Sequence, residues 1–143
     1  AAMLVAFLSI IAMVNYLLGF ANTSIDQLLG LIFQPLAWTM GVPWEESAMM
    51  GILMGKKIAF TELIAYGDLK NIMASGQISE RTAIIASYAL CGFANFGSIG
   101  IQLGGIGGIA PERKKDLAKL VTKAMVGGAL ASWLTATIAG ILI

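Results

Sequence analysis

Residues 44–72 read WEESAMMGILMGKKIAFTELIAYGDLKNI, and the architecture turns on how they fold. Two apolar stretches of about 12 to 15 residues flank Ala59-Phe60-Thr61, and at about 1.5 Å of rise per residue neither is long enough as a helix to cross a hydrocarbon core of about 30 Å. Glu45 and Glu46 fall in the first turn of the first stretch, where carboxylates complement the helix dipole, and Lys56 and Lys57 fall near its end, where cations do. Thr61 and Glu62 open the second stretch. Two short helices meeting at a polar tip form the pattern of a re-entrant hairpin, expected here over 44–74, whose non-helical backbone is tolerated only when buried in protein or lining a wet cavity. The alternative is a helical hairpin lying on the membrane surface.

The rest of the chain supports a membrane setting. Of 143 residues, 58% are hydrophobic and 12% charged, with a mean hydropathy of +0.85, against roughly 25% charged residues in a soluble domain. Residues 1–25, 82–111 and 124–143 carry no formal charge. The pattern predicts an all-α membrane protein: a membrane span over 1–21, an interfacial helix over 25–41, the re-entrant hairpin, a broken span over 79–110 and a final span over 113–143. Ser24 or Asp26 can cap the interfacial helix, which Pro35 interrupts and Gly41-Val42-Pro43 closes. Ser79-x-x-Thr82 opens the third long segment, and CGFANFGSIGIQLGGIGG at 91–108 reads as its break, because Gly92, Gly97, Gly100, Gly104, Gly105, Gly107 and Gly108 each weaken a helix. In the final span Gly127, Gly128, Ala131, Ala136, Ala139 and Gly140 offer close-packing faces.

Arg113, Lys114 and Lys115 place the 111–116 loop in the cytoplasm by the positive-inside rule, the 75–79 connection outside and the C-terminus outside. A re-entrant and a crossing reading of 44–72 then give residue 1 opposite orientations. The first residues do not read as a signal peptide, and three spans at most are too few to enclose a polar pathway. The chain is therefore expected to be a fragment of something longer.

Glu62 is the leading candidate for chemistry, because a carboxylate at membrane depth is expensive and is usually retained for a substrate, an ion or a partner charge. The competing reading is a local ion pair with Lys57 or Lys56 that packs the hairpin. Phe93, Asn95 and Ser98 form a second cluster, an amide and a hydroxyl within an apolar run. Asn95 can both donate and accept, which suits a sugar hydroxyl, or it can serve as glue between helices. Catalysis finds no support: there is no histidine and one cysteine, Cys91, so neither a metal site nor a nucleophile-base set can be assembled. Glu45, Glu46 and Asp68 are read as lying at helix ends. A net charge of +1 offers nucleic acid nothing to bind, and GGIGG lacks the lysine of a phosphate loop. No enzyme activity, no metal and no cofactor are expected.

YALCGFANFGSIGIQLGGIGGIAPERKKDLAKLVTKAMVGGALASWLTATIAGIL at 88–142 resembles the C-terminal core of the concentrative nucleoside transporters. GKKIAFTELIAYGDL at 55–69 is similar to their second re-entrant hairpin, and PLAWTMGVPWEE at 35–46 to the helix that leads into it. The resemblance covers nearly the whole chain. It implies sodium- or proton-driven uptake of nucleosides such as uridine or adenosine across the plasma (inner) membrane, in a multi-pass homotrimer embedded in the lipid bilayer. It assigns ribose hydroxyls to Glu62, completes the ribose site with Asn95 and Ser98, and lines it with Phe93. Thr61, the fifth expected substrate-binding residue, and Leu63 depart from the family's usual Asn and Phe, so Thr61 keeps a hydroxyl at the hairpin tip but loses an amide. The base-reading residues and the coupling-ion ligands are expected outside this chain. Two rival classes are a non-transporting membrane scaffold or assembly subunit, in which Glu62 pairs with Lys57, and an uncoupled channel.

Overall fold

A computed structural model describes residues 2–143. The regular structure of the described residues is all helical, with α1 at Ala2–Gly19, α2 at Ile25–Thr39, α3 at Trp44–Ala59, α4 at Glu62–Ala74, α5 at Glu80–Leu90, α6 at Phe96–Ile109 and α7 at Lys114–Leu142. A single 3-10 turn, Pro111–Arg113, precedes α7, and Pro111 to Leu142 is the one helix among the described residues that is long and apolar enough to cross a bilayer. Leu8 to Gly19 and Phe96 to Ile109 are shorter apolar helices.

The pairing of α2 with α3 is the most extensive in the molecule. It is close because Gly30 on α2 and Gly51 and Gly55 on α3 bring the two backbones together: a Cβ on Gly55 would stand 2.6 Å from the Asp26 carbonyl oxygen. Helices in a membrane associate through such small-residue faces, where packing replaces the hydrophobic drive. On α7 the buried positions Val121, Met125, Ala129, Trp133, Ala136 and Gly140 recur every three or four residues and form one stripe. That stripe packs on α5, which also touches α3 and α4 and buries Ile85, Ala86, Ala89 and Leu90 completely. Met50, Leu53 and Met54 of α3 join the same core, and Phe33 of α2 meets Trp133 with ring centroids 5.1 Å apart.

Polar ties close the helix ends. The Ser79 N–H donates to Glu46 Oε2 at 3.1 Å and its hydroxyl to the same oxygen at 2.9 Å, joining the start of α3 to the cap of α5. Arg81 donates from Nε to the Gly41 carbonyl at 3.1 Å and from Nη2 to the Gly140 carbonyl at 2.6 Å, supplying donors where α2 and α7 run out of their own.

Four expectations are corrected. Pro35 does not interrupt its helix: α2 runs from Ile25 to Thr39 with Pro35 inside it, because the packing on α3 outweighs one lost backbone bond. Ser24 precedes α2 but makes no side-chain cap bond. Asp68 is not at a helix end; it lies inside α4 and pairs with Lys56 of α3, an ion pair across the two arms. Most of the glycine run does not loosen the backbone, since α6 continues through Gly97, Gly100, Gly104, Gly105, Gly107 and Gly108. The chain leaves the helix between Cys91 and Asn95, where Gly92 takes a φ of +96°, a conformation open to glycine and strained for other residues.

Candidate functional site

Two helix starts converge on one point. Thr61, with extended backbone, caps α4 by accepting from the Ile64 N–H at 3.5 Å, so Glu62 becomes the first residue of that helix. Asn95, also extended, caps α6 by accepting from the Ser98 N–H through Oδ1 at 2.8 Å. With Oδ1 committed to the cap, Nδ2 points outward and donates to Glu62 Oε2 at 3.1 Å. Residues 33 positions apart in sequence are thereby joined carboxylate to amide. Both groups sit at the positive end of a helix dipole, which suits a carboxylate and any developing negative charge nearby.

Ser98 belongs to the same arrangement. Its hydroxyl lies 2.9 Å from Asn95 Oδ1 and also donates to the Phe93 carbonyl, so its single hydrogen serves the loop and its lone pairs remain for a visiting donor. Asn95 and Ser98 are buried, whereas Phe93 is 76% exposed and projects from the loop. Phe93, Ser98, Ile101 and Gln102 line a cleft of about 350 Å³, and a neighbouring one of about 260 Å³ runs from Gly92 and Phe93 to Met125 and Gly128 of α7. Glu62 lines neither. A further groove, about 570 Å³ between α4 and α5, is lined by Tyr66, Leu69, Met73 and Ile84 with Lys70 and Glu80, and holds none of the five expected site residues.

The structure thus brings Glu62, Asn95 and Ser98 into one network, sets Thr61 beside it as a helix cap and leaves Phe93 exposed at its edge. The ion pair of Glu62 with Lys57 or Lys56 is not formed: Lys56 pairs with Asp68, and the Lys57 ammonium bonds elsewhere. The sequence reading misses Gln102 altogether, and it names Lys57 without its burial or its partners. Gln102 lines both clefts beside Phe93 and was signalled only by being a lone amide in IGIQLGG. Lys57 is fully buried, though its neighbour Lys56 is not.

Because Asn95 does two jobs, its substitutions separate them. Asn95→Ala removes the cap of α6 and the donor to Glu62, and is expected to lower stability by about 1–2 kcal/mol. Asn95→Ser restores a capping oxygen but cannot reach Glu62, and should recover most of the thermal midpoint of the full-length protein. Equal loss in both variants would show that the cap is not what Asn95 contributes to stability.

An all-helical membrane protein with a carboxylate and an amide held at two facing helix starts is the class that fold and site define. Residues 1–140 match the family model described as Na+ dependent nucleoside transporter C-terminus, and the chain belongs to that family. It is 44% identical over 149 residues to the Bacillus subtilis (strain 168) protein named Uncharacterized transporter YutK, covering 99% of this chain and 36% of that protein. It is 39% identical over 163 residues to Sodium/nucleoside cotransporter 1 of Rattus norvegicus, covering 99% of this chain and 25% of the relative. Among solved structures, a CNTnw double variant in an outward-facing state superposes with a TM-score of 0.91 at 40% identity, over 99% of this chain and 37% of that one. CNTnw in an inward-facing substrate-bound state gives 0.83 at 43% identity, over 97% and 34%. The chain spans a quarter to about a third of the length of these relatives, which are named as transporters and not as enzymes.

Proposed function

We propose that the full-length protein takes up nucleosides by ion-coupled secondary active transport, and that this chain supplies the ribose-binding half of the site. The observation that carries the reading is the bond from Asn95 Nδ2 to Glu62 Oε2 at 3.1 Å. It leaves the carboxylate with an oxygen free to accept from sugar hydroxyls, and two acceptors on one rigid group match two vicinal donors. Ser98 offers a further acceptor and Phe93 an apolar face beside it. Thr61 acts at the hairpin tip by setting where Glu62 starts its helix. The relatives' names support nucleosides as the substrate class, with uridine and adenosine the substrates to try first.

In this reading α3 and α4 are the arms of a re-entrant hairpin, α5 and α6 the halves of a broken span, and the two move together in an elevator-like or rocking step with the nucleoside between them. The protein works in the plasma (inner) membrane as a homotrimer, with loop 111–116 in the cytoplasm. The ligands of the coupling ion lie outside this chain.

The test is uptake of radiolabelled uridine by vesicles carrying the full-length protein, under an imposed sodium gradient and separately under a proton gradient. Accumulation above equilibrium under one of them is the expected result, and it names the ion. Equilibration without accumulation would make the protein a channel. No uptake by folded protein under either gradient would leave a scaffold.

A further inference from the structure

A buried cation joins the end of α3 to the end of α5 and to α7. Lys57, in the last turn of α3, is fully buried, and its ammonium donates to the Ala89 carbonyl at 2.9 Å, the Cys91 carbonyl at 3.0 Å and the Ser132 hydroxyl at 2.7 Å. Three partners exhaust its three hydrogens. None of the three is a carboxylate; two of them are carbonyls at the end of α5, where the negative end of that helix favours a cation.

The two carbonyls are significant for where they lie. In an uninterrupted helix the Ala89 carbonyl would receive the N–H of Phe93 and the Cys91 carbonyl that of Asn95, but α5 stops at Leu90 and both acceptors lose those donors. Lys57 supplies the missing hydrogens. The same short loop then carries Phe93 and Asn95, whose amide reaches Glu62, five residues after Lys57 across the hairpin tip. Ser132, which donates onward to the Ala129 carbonyl at 2.9 Å, fixes the arrangement to α7.

We infer that Lys57 is a positioning residue for nucleoside binding: it sets the loop at 91–95 against the hairpin so that Asn95 meets Glu62, without itself touching substrate. The inference rests on the nucleoside reading of the Glu62 and Asn95 site. It uses the chain's one fully buried cation among the described residues, whose size and charge a merely space-filling side chain would not need.

The test is uridine uptake by the full-length protein with Lys57→Met, which keeps length and loses charge, and with Ser132→Ala, which removes one partner. The expected result for Lys57→Met is a KM raised about tenfold with the maximal rate of the folded transporter within about twofold, the pattern of lost binding. For Ser132→Ala a rise of about threefold is expected. A lysine that only stabilises the fold would lower the amount of folded protein and leave the KM of the survivors unchanged, and that result overturns the inference. Should Lys57→Met fail to fold, Ser132→Ala decides alone, an unchanged KM counting against it. Glu62→Gln measured alongside separates the two failures: if it too leaves uridine uptake unaltered, the nucleoside site is misplaced, whereas a large effect there with none at Lys57 or Ser132 refutes the positioning role only.

Discussion

Glu62→Gln in the full-length protein is expected to lower the efficiency of uridine uptake, the ratio of maximal rate to KM, by about 100-fold. Glutamine preserves the volume and could keep the hydrogen bond to Asn95, so the size of the effect comes from direction. Asn95 Oδ1 is held by the Ser98 N–H, and its Nδ2 must face residue 62. A glutamine there has to turn its only oxygen toward Asn95, which leaves an NH2 group where the ribose would present its own donors. Two donors then confront each other. Hydrogen bonds to a charged group contribute roughly 1.5–3 kcal/mol each, and 1.4 kcal/mol is about tenfold, so losing two accounts for the loss stated. Kinetics in vesicles, with the thermal midpoint measured in parallel, provide the check. Uptake within about twofold of the unsubstituted protein would remove Glu62 from the site.

What the residues alone reveal of this arrangement follows the range of the interactions. Thr61 and Glu62 are legible because the signal is local: a capping residue, a carboxylate and two stretches too short to cross a bilayer. Asn95 is legible as an amide among apolar residues, but its place as the cap of α6 is not, since seven glycines in 91–108 all argue for loosening and only Gly92 leaves the helix. Helix propensity is a weak prior, and packing against α1 and α7 overrides it for the remaining six. Lys57 is the clearest limit. Its position suggested a dipole-compensating cation or an ion pair with Glu62, five residues away, whereas its partners lie 32, 34 and 75 residues along the chain. Arg81, whose two carbonyl partners are 40 and 59 residues distant, is hidden for the same reason. The four-residue spacing of Gly51 and Gly55, by contrast, is a local signal of close packing, as are the small residues of 127–140. Of those, Gly127 meets nothing within 4 Å, while Gly140 abuts the Met40 carbonyl.

Gly51→Ala is expected to lower stability by about 2 kcal/mol. A Cβ at this position would stand 2.4 Å from the Gly30 carbonyl oxygen and 2.9 Å from the Gln34 nitrogen. Both are backbone atoms of α2, so no side chain can rotate away and the helices must separate. Overpacking of this kind costs about 1–3 kcal/mol or more, and the better helix propensity of alanine returns at most about 1. Gly67→Ala is the matched comparison, because a Cβ there meets nothing within 4 Å and only the propensity gain remains. The thermal midpoint of the full-length protein should fall for the first variant and hold or rise for the second; equal midpoints would mean that α2 and α3 do not approach as closely as described. The effect on binding should be small. Gly55 and Lys57 are two residues apart, about 200° around the helix, so α2 grips α3 on one face while the end of α5 is held from the other. Moving α2 outward strains the first contact and leaves the second, and the uridine KM of folded Gly51→Ala protein should stay within about threefold of the parent. Lys57→Met should show the opposite pattern, a raised KM in protein that still folds, because the two substitutions act on opposite faces of one helix.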